Sequence, residues 1–250
     1  MENDEIKGSE KSVRAFDYPP LSMYLSEVVR DVYAINMLVF SSNIFMRSEI
    51  IKNFNKVAAM HASGEAKDSA TMQSNLEHVL LDALVDSVRV GICFENYFKV
   101  KLMLADVFIH AIDQNRDKQL AKDQRGKPIY VREIISQKPP VDEQDYKTSM
   151  VRLEYLFKKQ TINYTTILEV KDYVDLLQLP ADTIDFLKEQ NGYRNDLHMV
   201  TSQRFMLSDD IVKQYGELLR IVGGDMARLQ NSLLDKITPD SRSRLPILYQ

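Results

Sequence analysis

The chain has 250 residues, 44% hydrophobic and 27% charged, a globular balance that excludes wholesale disorder. Gly 8 and Pro 8 are few turn-formers for this length, which argues against an all-β sandwich or a doubly wound sheet; with Met 11 the composition tilts toward helix. A formal charge of -4, from 32 basic and 36 acidic residues, argues against a broad basic DNA-coating surface, and the single cysteine, Cys93, excludes an internal disulfide or a thiolate metal cage.

Residues 1–20 read as a flexible lead-in that ends at Pro19-Pro20. Its MENDEIKGSEKSVR opening is polar and mixed in charge, so no signal peptide is expected. No run of about 18 apolar residues follows, so no membrane segment is expected, and a reducing cytoplasmic setting fits the cysteine count. From Leu21 to about Met60 the apolar residues Leu21, Leu25, Val28, Val32, Ile35 and Val39 recur at helical spacing, with Ser41-Ser42-Asn43 a candidate interruption. The small polar stretch His61 to Ala70 reads as a loop.

Residues 72–115 carry the strongest helical period, through Leu76, Leu80, Leu84, Val88, Tyr97, Val100, Leu104 and Val107-Phe108. At about 1.5 Å per residue this helix would span roughly 60 Å unless Gly91 bends it. Residues 116–147 change character and read as an irregular insertion. Asp123 to Pro128 is a turn, Ile129-Tyr130-Val131 a short strand, and Lys138-Pro139-Pro140 a stop. Helical spacing resumes at Met150-Val151, Leu153 and Tyr155-Leu156, and again from Ile167 to Leu177 before Pro180.

Asp182 is placed to cap a helix running to Gln190, with Asn191-Gly192 as its C-terminal stop. Ser208-Asp209-Asp210 is an N-cap with acids in the first turn. It opens a last helix that carries Ile211, Tyr215, Leu218, Val222, Met226, Leu229 and Leu233. The expected fold is all-α: a bundle of about five main helices forming one helical domain over 21–236, followed by a tail over 237–250.

Most catalytic vocabulary is absent: there is no phosphate-binding glycine loop, no G-x-S-x-G and no H-E-x-x-H. The four histidines, His61, His78, His110 and His198, are scattered. His110 sits on an apolar run and reads as a satisfied, partly buried imidazole. Glu95 and Lys99, one turn apart, read as a helix-face ion pair.

One constellation stands out: Tyr193-Arg194-Asn195-Asp196-Leu197-His198. On a helix Arg194 and His198 share a face. A neutral imidazole takes the proton of an RNA 2′-hydroxyl or returns one to the leaving oxygen, and the guanidinium fork holds the phosphate. The structural alternative is as concrete. Arg194 can pair with Asp196 or Glu189, His198 can bond a carbonyl at a helix start, and Asp196 can be a cap.

This placement resembles the HEPN superfamily (higher eukaryotes and prokaryotes nucleotide-binding domains), whose hallmark is an Arg, a following polar residue such as Asn, and a His a few residues on. Arg194-Asn195 matches the opening, and a long amphipathic helix follows. Cys93-Phe94-Glu95-Asn96-Tyr97-Phe98-Lys99 is similar to the family's long early helix, which often bears a polar Glu or Lys. The resemblance covers roughly 72–235.

It implies an all-α, metal-independent endoribonuclease of bacterial defence or toxin type, with no cofactor. Arg194 and His198 would be catalytic, and Asn195, Tyr193, Glu95 and Lys99 would contact substrate. RNA, a second copy of the chain, and a cognate antitoxin or other defence-system protein are the implied partners. Three residues separate Arg194 from His198, one fewer than the family's usual minimum. That departure keeps a second expectation open: an inactive all-α binding module that engages a partner protein or a nucleotide.

Overall fold

The computed structural model describes residues 21–46, 49–64, 70–135, 142–198 and 209–236; within these, some helical residues, 193–198 among them, are described by their backbone alone. The expected lead-in over 1–20, the expected stop at Lys138-Pro139-Pro140, the expected cap Ser208 and the expected tail over 237–250 lie outside the described residues.

The all-α expectation holds. A 3-10 turn at Leu21–Tyr24 leads into α1 (Glu27–Met46), α2 (Ile50–Ala62) and α3 (Ala70–Leu104). Then come β1 (His110–Ile112), α4 (Lys118–Asp123), α5 (Val131–Ile134), α6 (Glu143–Leu156) and β2 (Phe157–Thr161). The short α7 (Tyr164–Glu169) and α8 (Lys171–Leu177) precede α9 (Ala181–His198) and α10 (Asp209–Lys236). Among the described residues, no helix is long and apolar enough to cross a membrane.

α3 is the spine. α1 lies along it, α2 covers part of it, and α8 and α9 touch it as well. The core forms where the apolar stripes of these helices meet: Ile35 and Leu38 of α1, Val90, Phe94, Tyr97 and Phe98 of α3, and Tyr215, Leu218, Val222 and Met226 of α10. These spacings of three and four residues are the helical period that the sequence displays.

α1 runs straight through Ser41-Ser42-Asn43, so the expected interruption does not occur there. α1 ends at Met46 and α2 starts at Ile50. Buried Asp86 of α3 fixes the start of α2 from a distance: its Oδ2 accepts the Glu49 N–H at 2.9 Å and the Asn53 amide at 3.2 Å. A carboxylate contributed from 37 positions away is not visible in local sequence. Of the expected loop over His61 to Ala70, His61 and Ala62 belong to α2 and Ala70 opens α3, while 65–69 lie outside the described residues.

Gly91 does not break α3, but the helix ends at Leu104 rather than near 115. Asp106 adopts a left-handed φ of 63°. The Val107 N–H bonds the Leu102 carbonyl and the Asp106 N–H bonds that of Met103, both at 3.0 Å. This is a Schellman closure, usually built on glycine. An aspartate there gives no sequence signal, although Asp tolerates the conformation better than most residues.

The irregular stretch is woven into the same core, to which it gives Ala121, Ile129, Val131 and Ile134. Ile129-Tyr130-Val131 makes one isolated antiparallel bridge, Val107 with Tyr130, and Val131 then enters α5. The sheet itself was not anticipated: β1 pairs with β2, His110 opposite Thr161 and Ile112 opposite Phe157, with a bulge between. Buried Gln124 holds it. Its Nε2 donates to the carbonyls of Phe108 (3.1 Å) and His110 (2.8 Å), and its Oε1 accepts the Ile112 N–H at 2.9 Å.

The helix expected from Ile167 to Leu177 is two, α7 and α8, meeting at Val170. The stop expected at Asn191-Gly192 is overturned, since α9 continues to His198. The Asn191 side chain is bonded to another helix instead of closing its own, and Gly192 keeps a non-positive φ.

Candidate functional site

α9 is anchored just before the Arg194 constellation. Buried Phe186 packs edge-on against Tyr215 of α10, ring centroids 5.0 Å apart. The Tyr215 hydroxyl donates to the Gln190 side chain. One residue on, Asn191 donates through Nδ2 to Thr165 Oγ1 of α7 at 2.9 Å. Positions 191, 194, 195 and 198 recur at i, i+3, i+4 and i+7, so Arg194, Asn195 and His198 occupy the helix face that Asn191 begins. The side chains of Tyr193, Arg194, Asn195 and His198 lie outside the described residues.

Glu95 and Lys99 pair at 2.6 Å in a largely buried position, their side chains 21% and 10% exposed, so this is not a solvated face. α3 reaches α10 through other residues. The buried Tyr97 hydroxyl donates to Asp225, and Lys101 Nζ lies 3.0 Å from Asp225 Oδ2. Tyr97 stands roughly 200° around the helix from Glu95. Burial pushes the Asp225 carboxyl up, but the hydrogen bonds from Tyr97, Arg228 and Lys101 outweigh it and leave the group below its ordinary range.

His110 is fully buried. The Tyr24 hydroxyl accepts the Ile109 N–H at 3.1 Å and is hydrogen-bonded to His110 Nδ1 at 2.7 Å. Among the described residues the other ring nitrogen, Nε2, has no hydrogen-bond partner. Burial, with the charge of Lys99 adding to it, pushes the imidazole down to about 4. The expectation of a satisfied, partly buried histidine is met at Nδ1 only, and the burial is complete rather than partial. Cys93 is also buried, and burial pushes its thiol up to about 12, which leaves it without nucleophilic character.

Asn191, Thr165 and the Asp225 cluster were not anticipated. Each is a partnership across more than 20 positions, and no local spacing encodes it. Comparison with known protein families, with curated proteins and with solved structures finds no match.

Proposed function

We propose that the chain is a HEPN-like, metal-independent endoribonuclease of bacterial defence or toxin type. The observation that carries this reading is the unbroken course of α9 through Asn191-Gly192 to His198. A continuous helix brings the Cβ atoms of Arg194 and His198 to about 5–6 Å on one face. A spacing of four thus suits a paired role.

In this reading His198 takes the proton of a 2′-hydroxyl, and the 2′-oxygen attacks phosphorus. The 5′-oxygen leaves with a proton from an imidazolium, and a 2′,3′-cyclic phosphate remains. Arg194 holds the phosphate oxygens as charge gathers on them. Asn195 and Tyr193 contact the flanking nucleotide. Glu95 and Lys99 contribute only if substrate reaches the largely buried side of α3 on which they pair.

A second copy of the chain is the proposed partner. On α3, Leu81, Val85, Val88 and Ile92 form one apolar stripe, with Leu81 56% and Val85 42% exposed. In an antiparallel two-fold pairing Leu81 meets the partner's Ile92 and Val85 the partner's Val88. Asp82 then comes beside the partner's Arg89, a complementary contact made twice.

The short Arg194-to-His198 spacing favours a second reading, an inactive all-α binding module that engages a partner protein or a nucleotide. RNA cleavage by the purified chain in EDTA, beside His198→Ala of equal stability, decides between them. Cleavage lost in the variant supports the nuclease. No cleavage of tRNA, rRNA or mRNA by the native chain overturns it in favour of the module.

A further inference from the structure

A cleft of about 410 Å³ opens where β1, the end of α4, β2 and the start of α7 meet. Its polar wall is made by Gln114, Arg125, Lys158, Gln160, Asn163 and Thr166, and among the described residues no carboxylate lines it. Arg125 and Lys158 are both exposed. Among the described residues neither has a carboxylate within ion-pair reach, whereas nearby Arg152 does, with Asp117. Arg125 is steadied by its bond to Gln114 Oε1 at 3.3 Å.

The floor is rigid. Buried Gln124 ties α4's end to β1, and the buried Tyr173 hydroxyl donates to the Gln124 carbonyl at 2.9 Å. Lys122, Lys127 and Lys159, all exposed, continue the cationic character along the same segments. In a chain of net charge -4 this is a local reversal of sign.

Two unpaired cations without a competing carboxylate select an anion, and side-chain amides beside them supply both donors and acceptors for base edges and ribose hydroxyls. The volume lies in the range of small-ligand sites, about 300–1,000 Å³. Cations that extend past the cleft suit a chain of phosphates rather than one. Watson–Crick base edges are free for such contacts only in an unpaired strand. The cleft is also joined to the proposed catalytic helix: Asn163 and Thr166 line it, while Thr165, between them on α7, holds Asn191 of α9.

We propose that this cleft binds the backbone of single-stranded RNA, with Arg125 and Lys158 each neutralising a phosphate of the nucleotides that flank the cut bond. The proposal rests on the RNA reading above and deepens it.

The test is fluorescence anisotropy of a short fluorescein-labelled oligouridylate in EDTA. The protein is the full-length His198→Ala chain, which leaves the probe intact, with and without Arg125→Ala and Lys158→Ala. Both residues are exposed, so the fold is expected to survive, and the charge-keeping pair Arg125→Lys and Lys158→Arg serves as the rescue.

The expected result is a loss of about tenfold in affinity, with a log K against log salt slope smaller by about 1.4, roughly 0.7 per phosphate lost. The rescue pair restores both. Unchanged affinity and slope in the alanine pair, or no binding by the parent, overturns the cleft. Native chain that binds through Arg125 and Lys158 but leaves RNA intact keeps the cleft and removes the nuclease. Cleavage with binding indifferent to both residues does the reverse.

Discussion

The Asn191 amide of α9 donates to the Thr165 hydroxyl of α7 at 2.9 Å. That bond joins the helix bearing Arg194 and His198 to the helix that walls the cationic cleft. Asn191 is buried, so its loss leaves Thr165 without its partner. Asn191→Ala is expected to cost about 1–2 kcal/mol and Thr165→Val about 1 kcal/mol. A double-mutant cycle in urea should return a coupling near 1 kcal/mol. Additive effects would show that the bond does not fix α9.

Asp86 sets the start of α2 from within α3. Asp86→Ala strands the Glu49 N–H and the Asn53 amide and frees Arg89, which is 3.0 Å from Asp86 Oδ1. A loss of about 2–3 kcal/mol in unfolding free energy is expected, measured by chemical denaturation. Asp86→Asn, which keeps an acceptor, should recover part of it.

The buried Tyr24–His110 pair gives stability a pH dependence. The folded imidazole titrates near 4, below the unfolded value of about 6.5. As pH falls between these values the unfolded chain binds a proton that the native chain refuses, so stability decreases. The loss is up to about 3 kcal/mol by pH 4 and is absent above about pH 7. His110→Phe should flatten this part of the profile. The measurement is the urea midpoint at about pH 7.5 and about pH 4.5 in both proteins, and equal drops would exclude His110 as the source.

Asp225 joins α10 to α3 through Tyr97 and Lys101 and also holds Arg228 at 3.0 Å. Its folded carboxyl titrates below the ordinary value, so its contribution is complete above that value and is lost as pH falls through the folded one. Asp225→Asn should destabilise by about 1–3 kcal/mol at neutral pH, and by less in acid. Thermal unfolding across the acid range reads both effects.

The α3 stripe predicts association. Leu81→Glu with Val85→Glu should convert a dimer to a monomer in light scattering, with helical circular dichroism unchanged because both positions are already exposed. A native chain that is monomeric at high concentration would remove this surface.

The sequence alone determined the helices. The apolar periods of α1, α3 and α10 are local facts, and burying such a stripe against another is the only way to satisfy it. It set Arg194 and His198 four positions apart, one helical turn only once α9 is known to run through them. The endings were another matter. The Asp106 closure of α3, the Asp86 clasp on α2 and the passage of α9 through Asn191-Gly192 each depend on a partner or a backbone conformation that composition does not announce.

The cleft was wholly illegible: Arg125 and Lys158 are 33 positions apart and meet only because β1 pairs with β2 across a stretch that reads as irregular. Local spacing fixes which residues a helix sets side by side. Only the tertiary structure decides which helix receives a side chain's hydrogen bond, because that bond forms where burial has removed water as the competing partner.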